Sequence, residues 1–200
     1  LFLGVLELIS FALMPLKNDR VKRAETSQRV GATFLKEKQF WVCTGTLFFY
    51  LCAEQGVIGW MVTYFKDSGL MSAGYAQVMA SVLWILILAG RLSAAYLSTK
   101  MNKGRLLGLM GIGFIAFFVI VLLGRSLPII TFGIAGFGFS MAGIYPTTVS
   151  LSGGTIKAYP LAWSTMLTLA GLGAVLMPSI IGAVAETAGI YAGMCTVIVA

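Results

Sequence analysis

Residues 105–124 read RLLGLMGIGFIAFFVIVLLG, a run with no ionisable or amide side chain after its first residue. A soluble fold rarely affords such a segment, whereas a helix needs about 20 apolar residues to cross the ~30 Å hydrocarbon core of a bilayer. The run is one of several. Residues 1–16 read as the end of one span, full spans follow at 41–65, 74–98, 105–124, 127–150 and 160–183, and a last one opens at 188–200. Charged residues make up only 10% of the 200-residue chain and apolar ones 58%. Soluble domains carry roughly 25% charged residues, so most of this exterior must face lipid. The runs are too long for barrel strands and lack their dyad alternation. An all-α membrane protein follows.

Basic residues orient it. Lys and Arg concentrate in short cytoplasmic loops, and twelve of the fourteen here fall on alternating connections. Lys17, Arg20, Lys22, Arg23, Arg29, Lys36 and Lys38 occupy 17–40; Arg91, Lys100, Lys103 and Arg105 bracket 99–104; Lys157 lies in 151–159. Only Lys66 and Arg125 fall on the other side. Residues 17–40, 99–104 and 151–159 are therefore expected to be cytoplasmic, with 17–40 joining two helical bundles. The net charge of +7 needs no nucleic acid to explain it. The chain opens and stops inside apolar runs, which reads as a fragment cut through helices.

Chemistry-bearing residues are few. Histidine is absent, which removes His-ligated metals and His bases. Cys43, Cys52 and Cys195 lack any paired spacing and read as small buried residues. No cofactor or metal is expected, and an intramembrane enzyme would want a His, a paired Asp or a Ser–Lys arrangement.

The polar exceptions inside spans carry the argument. Glu54 and Gln55 sit in the 41–65 span, where a charged group costs about 2.5–3.5 kcal/mol on insertion scales. Tyr50 lies one turn before Glu54 and is placed to hydrogen-bond to it, while Gly56 and Gly59 are expected to interrupt the helix beyond. Gln77, Ser81 and Trp84 form one polar-aromatic face that reaches Arg91 two turns further on. An amide and an indole along a cavity suit a hydroxyl-bearing solute such as a sugar. The 127–150 span is thinned by Gly133, Gly136, Gly138 and Gly143. Pro146 removes a backbone donor there, loosening the carbonyl one turn earlier, with Tyr145, Thr147 and Thr148 around the weak point. The 160–183 span repeats the style with Ser164, Thr165, Thr168, Gly171, Gly173 and Pro178, and Glu186 ends it in a solvated position. The 105–124 span reads as peripheral, with Gly104, Gly108 and Gly111 allowing close helix contact. Glu7, in the first partial span, has no assigned role.

Three stretches resemble the C-terminal half of the major facilitator superfamily. AEQGVIGWMVTYF at 53–65 is similar to the seventh span of its fucose:proton symporter-like branch; AGRLSAAYLSTKMNKGRLL at 89–107 resembles the superfamily's loop signature; GFGFSMAGIYPTTVS at 136–150 is similar to the branch's tenth span. The signature's usual acidic residue is replaced by Ser98 and Thr99, which leaves a charge-relay latch without its acidic member. The resemblance implies a six-helix half-bundle preceded by the last helix of an N-terminal bundle, with inverted repeats relating 41–124 to 127–200. It also implies partners: the bilayer, a small solute with protons in a coupled carrier, and a missing N-terminal six-helix bundle. A multi-pass protein of the cell membrane is expected. Substrate contacts are assigned to Glu54, Gln55, Trp60, Tyr64, Gln77, Trp84 and Tyr145, and gating or structural roles to Gly90, Arg91, Gly143, Pro146 and Pro178. The leading expectation is a proton-coupled sugar carrier. A drug or metabolite exporter of the same superfamily, and a receptor that binds without transport, are the alternatives.

Overall fold

Why these apolar runs become helices follows from the solvent they imply. Without water to satisfy N–H and C=O groups, a spanning backbone must bond to itself. The computed structural model describes residues 31–199, and among these every regular element is helical. The expectations for 1–30, including Glu7 and most of the basic connection, lie outside the described residues.

A 3-10 turn at Thr33–Lys36 leads into α1 (Lys38–Asp67), followed by α2 (Ala73–Lys100) and α3 (Lys103–Leu123). Next come α4 (Leu127–Met141), α5 (Ile144–Leu151), the short α6 (Gly153–Ala158), α7 (Pro160–Ala188) and α8 (Ile190–Val199). Among the described residues, five spans are long and apolar enough to cross a bilayer: α1, α2, α3, α4 with α5 as one segment, and α7. The helices outrun the expected apolar limits by a few residues, because capping groups carry them into the polar flanks. Ser72 accepts a hydrogen bond from the backbone N–H of Tyr75, and Asn102 accepts one from Gly104. Gly69 and Gly189 adopt φ of +67° and +86° where α1 and α7 end, a conformation glycine takes without a Cβ penalty. The 151–159 connection, expected to be a plain loop, contains α6.

Two seams organise the bundle. α1 packs along α7 and also meets α8, while α4 packs against both α2 and α3. Exchanging the first span for the fourth and the second for the fifth maps one seam onto the other. Two three-span repeats would produce that pairing. α2 and α3 follow one another in sequence yet touch little, because α4 separates them.

Glycines make α4 fit. A Cβ on Gly138 would lie 2.8 Å from Leu83 of α2, and one on Gly133 would lie 2.9 Å from Val121 of α3. The expected contact surface on α3 is corrected: Gly108 and Gly111 face open space, and Gly113 makes the close approach, to Ser140. Gly56 and Gly59 do not interrupt α1, which is continuous; Gly56 instead gives room to Met177 and Ile181 of α7. The outer faces stay apolar, with Ile85, Leu92 and Val175 about two-thirds exposed. Such a surface suits acyl chains.

At one end, the first turn of α1 is clasped to the α5–α6 junction. Thr155 Oγ1 donates to Glu37 Oε2 at 2.6 Å, and Gln39 Nε2 donates to the Leu151 carbonyl at 2.8 Å. Phe34 packs on Phe40 and on Tyr159 beneath this clasp. Lys103 Nζ donates to Ser150 Oγ at 2.7 Å, so the 99–104 connection meets the same end. The basic connections of the described residues therefore share one end of the bundle.

Candidate functional site

Glu54 sits midway along α1 and is only 6% exposed. At four residues' separation its carboxylate lies above the Tyr50 ring on the same helix face, and Tyr50 Oη donates to Glu54 Oε1 at 2.8 Å. A charge-accepting hydrogen bond of this kind offsets part of the cost of depth. The arrangement extends to two other spans. The Tyr50 ring lies 6.3 Å from that of Tyr145 on α5. Arg91 on α2 is near enough for its charge to act on both Tyr50 and Glu54. Three helices thus converge on one buried carboxylate.

Tyr145 stands beside a break in its span. Helix α4 ends at Met141 and α5 begins at Ile144, and Ala142 and Gly143 form a tight turn between them whose backbone angles stay right-handed. Pro146 cannot donate to the carbonyl of Ala142, four residues back, and the ladder resumes with Thr147 N–H on the Gly143 carbonyl. Gly143 is pressed against Met110 and Ala94, and Gly90 against the Phe139 carbonyl, so no side chain fits at either position. Pro178 behaves differently: it lies inside an unbroken α7.

The remaining residues divide into two groups. Trp60 Nε1 donates to the Pro178 carbonyl at 3.0 Å, and Tyr64 is buried among Phe65 and Tyr191 with its hydroxyl 3.5 Å from the Leu122 carbonyl. Both tie helices together, well along α1 from Glu54. Gln77 and Trp84 lie on an exposed face of α2, Trp84 at 52% exposure, with Ser81 between them. Gln55 is half-buried beside Glu54. Glu186 is exposed, in a small outer cleft it shares with Asp67 and Trp60.

The sequence did not reveal the cleft at the basic end. A space of about 470 Å³ opens between α2, the start of α3 and α5, bounded by Arg91, Ser98, Lys103, Tyr145, Thr147 and Ser150. Nothing in the spacing of Arg91 and Lys103 announces it, since packing of α5 completes the wall. The clasp between Glu37 and Thr155 was equally hidden, with 118 residues between its partners.

Two known proteins are similar to this chain. It is 26% identical to the major facilitator superfamily domain-containing protein 4A of Xenopus tropicalis over 191 residues, 86% of this chain and 37% of that protein. It is 26% identical to the Danio rerio protein of the same name over 121 residues, 60% of this chain and 22% of that protein. This supports membership of the major facilitator superfamily. The chain spans well under half the length of these relatives. No family model matches it. Neither relative points to the fucose:proton symporter-like branch.

Proposed function

We propose that the chain forms the C-terminal half of a secondary transporter that moves a small polar solute across a membrane by alternating access. One observation carries this reading: a carboxylate buried in a bundle of apolar spans and bonded to Tyr50, whose ring lies against Tyr145 of a second helix, with Arg91 of a third near enough for its charge to act. A purely structural bundle gains little from an ionisable group at such depth. The proline kink beside it supplies a place where one segment can pivot.

The finer reading is a sugar as solute and a proton as coupling ion, in a cell-membrane protein completed by an N-terminal six-helix bundle. It rests on the exposed Gln77–Ser81–Trp84 face, where a ring can stack on a sugar and an amide can hold hydroxyls. Glu54 and Gln55 are the polar contacts of this half and Tyr145 flanks them. Trp60 and Tyr64 are better read as helix ties that hold the site's far wall.

Solute uptake by proteoliposomes containing the full-length protein, with and without an imposed proton gradient, tests this. Glu54→Gln keeps the shape and removes the charge, so gradient-driven accumulation should fall while passive exchange persists. Undiminished accumulation removes Glu54 from the mechanism, and a protein that moves no solute under any gradient removes the transport reading.

A further inference from the structure

We propose that the cleft at the basic end binds a single anionic group, a phosphate or a carboxylate, between Arg91 and Lys103. The cleft has about 470 Å³, within the usual range for a site that holds a small ligand or a headgroup. Its wall carries two cations and the hydroxyls of Thr147 and Ser150, and no carboxylate. Neither cation forms an ion pair among the described residues, although Glu54 lies near enough to feel Arg91. Two like charges bordering one cleft repel, and an anion between them relieves the repulsion.

The donors suit one oxyanion. The planar guanidinium of Arg91 presents paired N–H groups that match two oxygens of a phosphate or carboxylate. Lys103 already gives one N–H to Ser150 Oγ at 2.7 Å, which fixes the ammonium and leaves two donors for a ligand. The site lies beside Pro146 and the break at Ala142–Gly143. An occupant would brace α5 against α2 and α3. The cleft shares Arg91 and Tyr145 with the surroundings of Glu54, but anion binding there is read by stability and is tested without any transport measurement.

The test uses the protein in nanodiscs of phosphatidylcholine, followed by thermal unfolding. One arm titrates inorganic phosphate against chloride at constant ionic strength; the other replaces part of the lipid with phosphatidylglycerol. Arg91→Gln, Lys103→Gln and, as a reference outside the cleft, Lys157→Gln are compared. A saturable rise in Tm in the first arm identifies a free anion, and a rise confined to the second identifies a lipid headgroup. In either case Arg91→Gln and Lys103→Gln should weaken the apparent affinity about tenfold or more, as losing a charged hydrogen-bond donor does, with Lys157→Gln unchanged. No rise in either arm, or a rise that Lys103→Gln leaves intact, overturns the proposal. If Arg91→Gln fails to fold, Lys103→Gln decides alone.

Discussion

Among the described residues, two prolines sit beyond the first turn of a membrane span, and the backbone answers them in opposite ways. At Pro146 the span splits into α4 and α5; at Pro178 α7 runs through unbroken. Each ring removes one donor and crowds the carbonyl four residues back, so the prolines alone do not explain the difference. The neighbours do. Before Pro146 stands Gly143, which lets the turn press directly on Met110 and Ala94. Around Pro178 the helix is held on both sides of the weak point. Gly173 seats α7 against the Phe48 carbonyl of α1, and Trp60 of α1 donates to the carbonyl of Pro178 itself. A proline marks where a span is weak. Interhelical packing decides whether it gives.

The largest effect should come from filling the turn. Gly143→Leu would drive a side chain into Ala94, whose Cβ lies 2.6 Å from where a new Cβ must sit. Overpacking of this kind costs about 1–3 kcal/mol, with the upper end expected where the obstacle is another helix. Gly171→Ala, whose Cβ would meet nothing within 4 Å, is its counterpart on α7 and should be neutral or slightly stabilising. Thermal unfolding in detergent compares them, and equal Tm values would mean that the turn at Gly143 is not packed as described.

Pro146→Ala comes next. It restores the donor for the Ala142 carbonyl and should let α4 and α5 join. Amide exchange across 142–151 should slow by about fivefold, the equivalent of ~1 kcal/mol for one regained hydrogen bond. Pro178→Ala should change exchange in α7 much less, since that helix is already continuous. If both substitutions slow exchange alike, the two sites do not differ in the way the packing indicates. Under the transport reading, the Pro146 substitution should also slow turnover.

Much of this architecture was legible from the chain alone, and the reason is the solvent. Lipid forces every spanning segment to be apolar and helical, so hydropathy announced the five long helices of the described residues and their order. The one-turn spacing of Tyr50 and Glu54 announced their hydrogen bond, and Pro146 announced the weak carbonyl before it, because both effects are local to one helix. What stayed hidden depends on which helices meet. Gly56 and Gly59 read as a break, yet α7 packs into the first and the helix survives. Gly108 and Gly111 read as a contact surface, yet α4 approaches at Gly113. A glycine says that close approach is permitted and does not say from where. Trp60 and Tyr64 read as cavity residues because aromatic side chains serve solutes and helix contacts equally well.

The smallest expected effect tests the tie at Pro178. Trp60→Phe keeps an aromatic ring on α1 and removes the N–H that reaches the Pro178 carbonyl, together with the part of the indole that approaches Gly182. Interhelical hydrogen bonds within membranes average about 0.6 kcal/mol, so Tm should drop by only a degree or two, on the order of what that energy implies for a domain of this size. The informative readout is local. With the tie gone, amide exchange should quicken in α7 around Pro178 and stay unchanged across 142–151, because the tie and the approach to Gly182 both lie on α7. Faster exchange in both places would mean that the two weak points move together, and the contrast between a free turn and a held one would give way to a single coupled hinge.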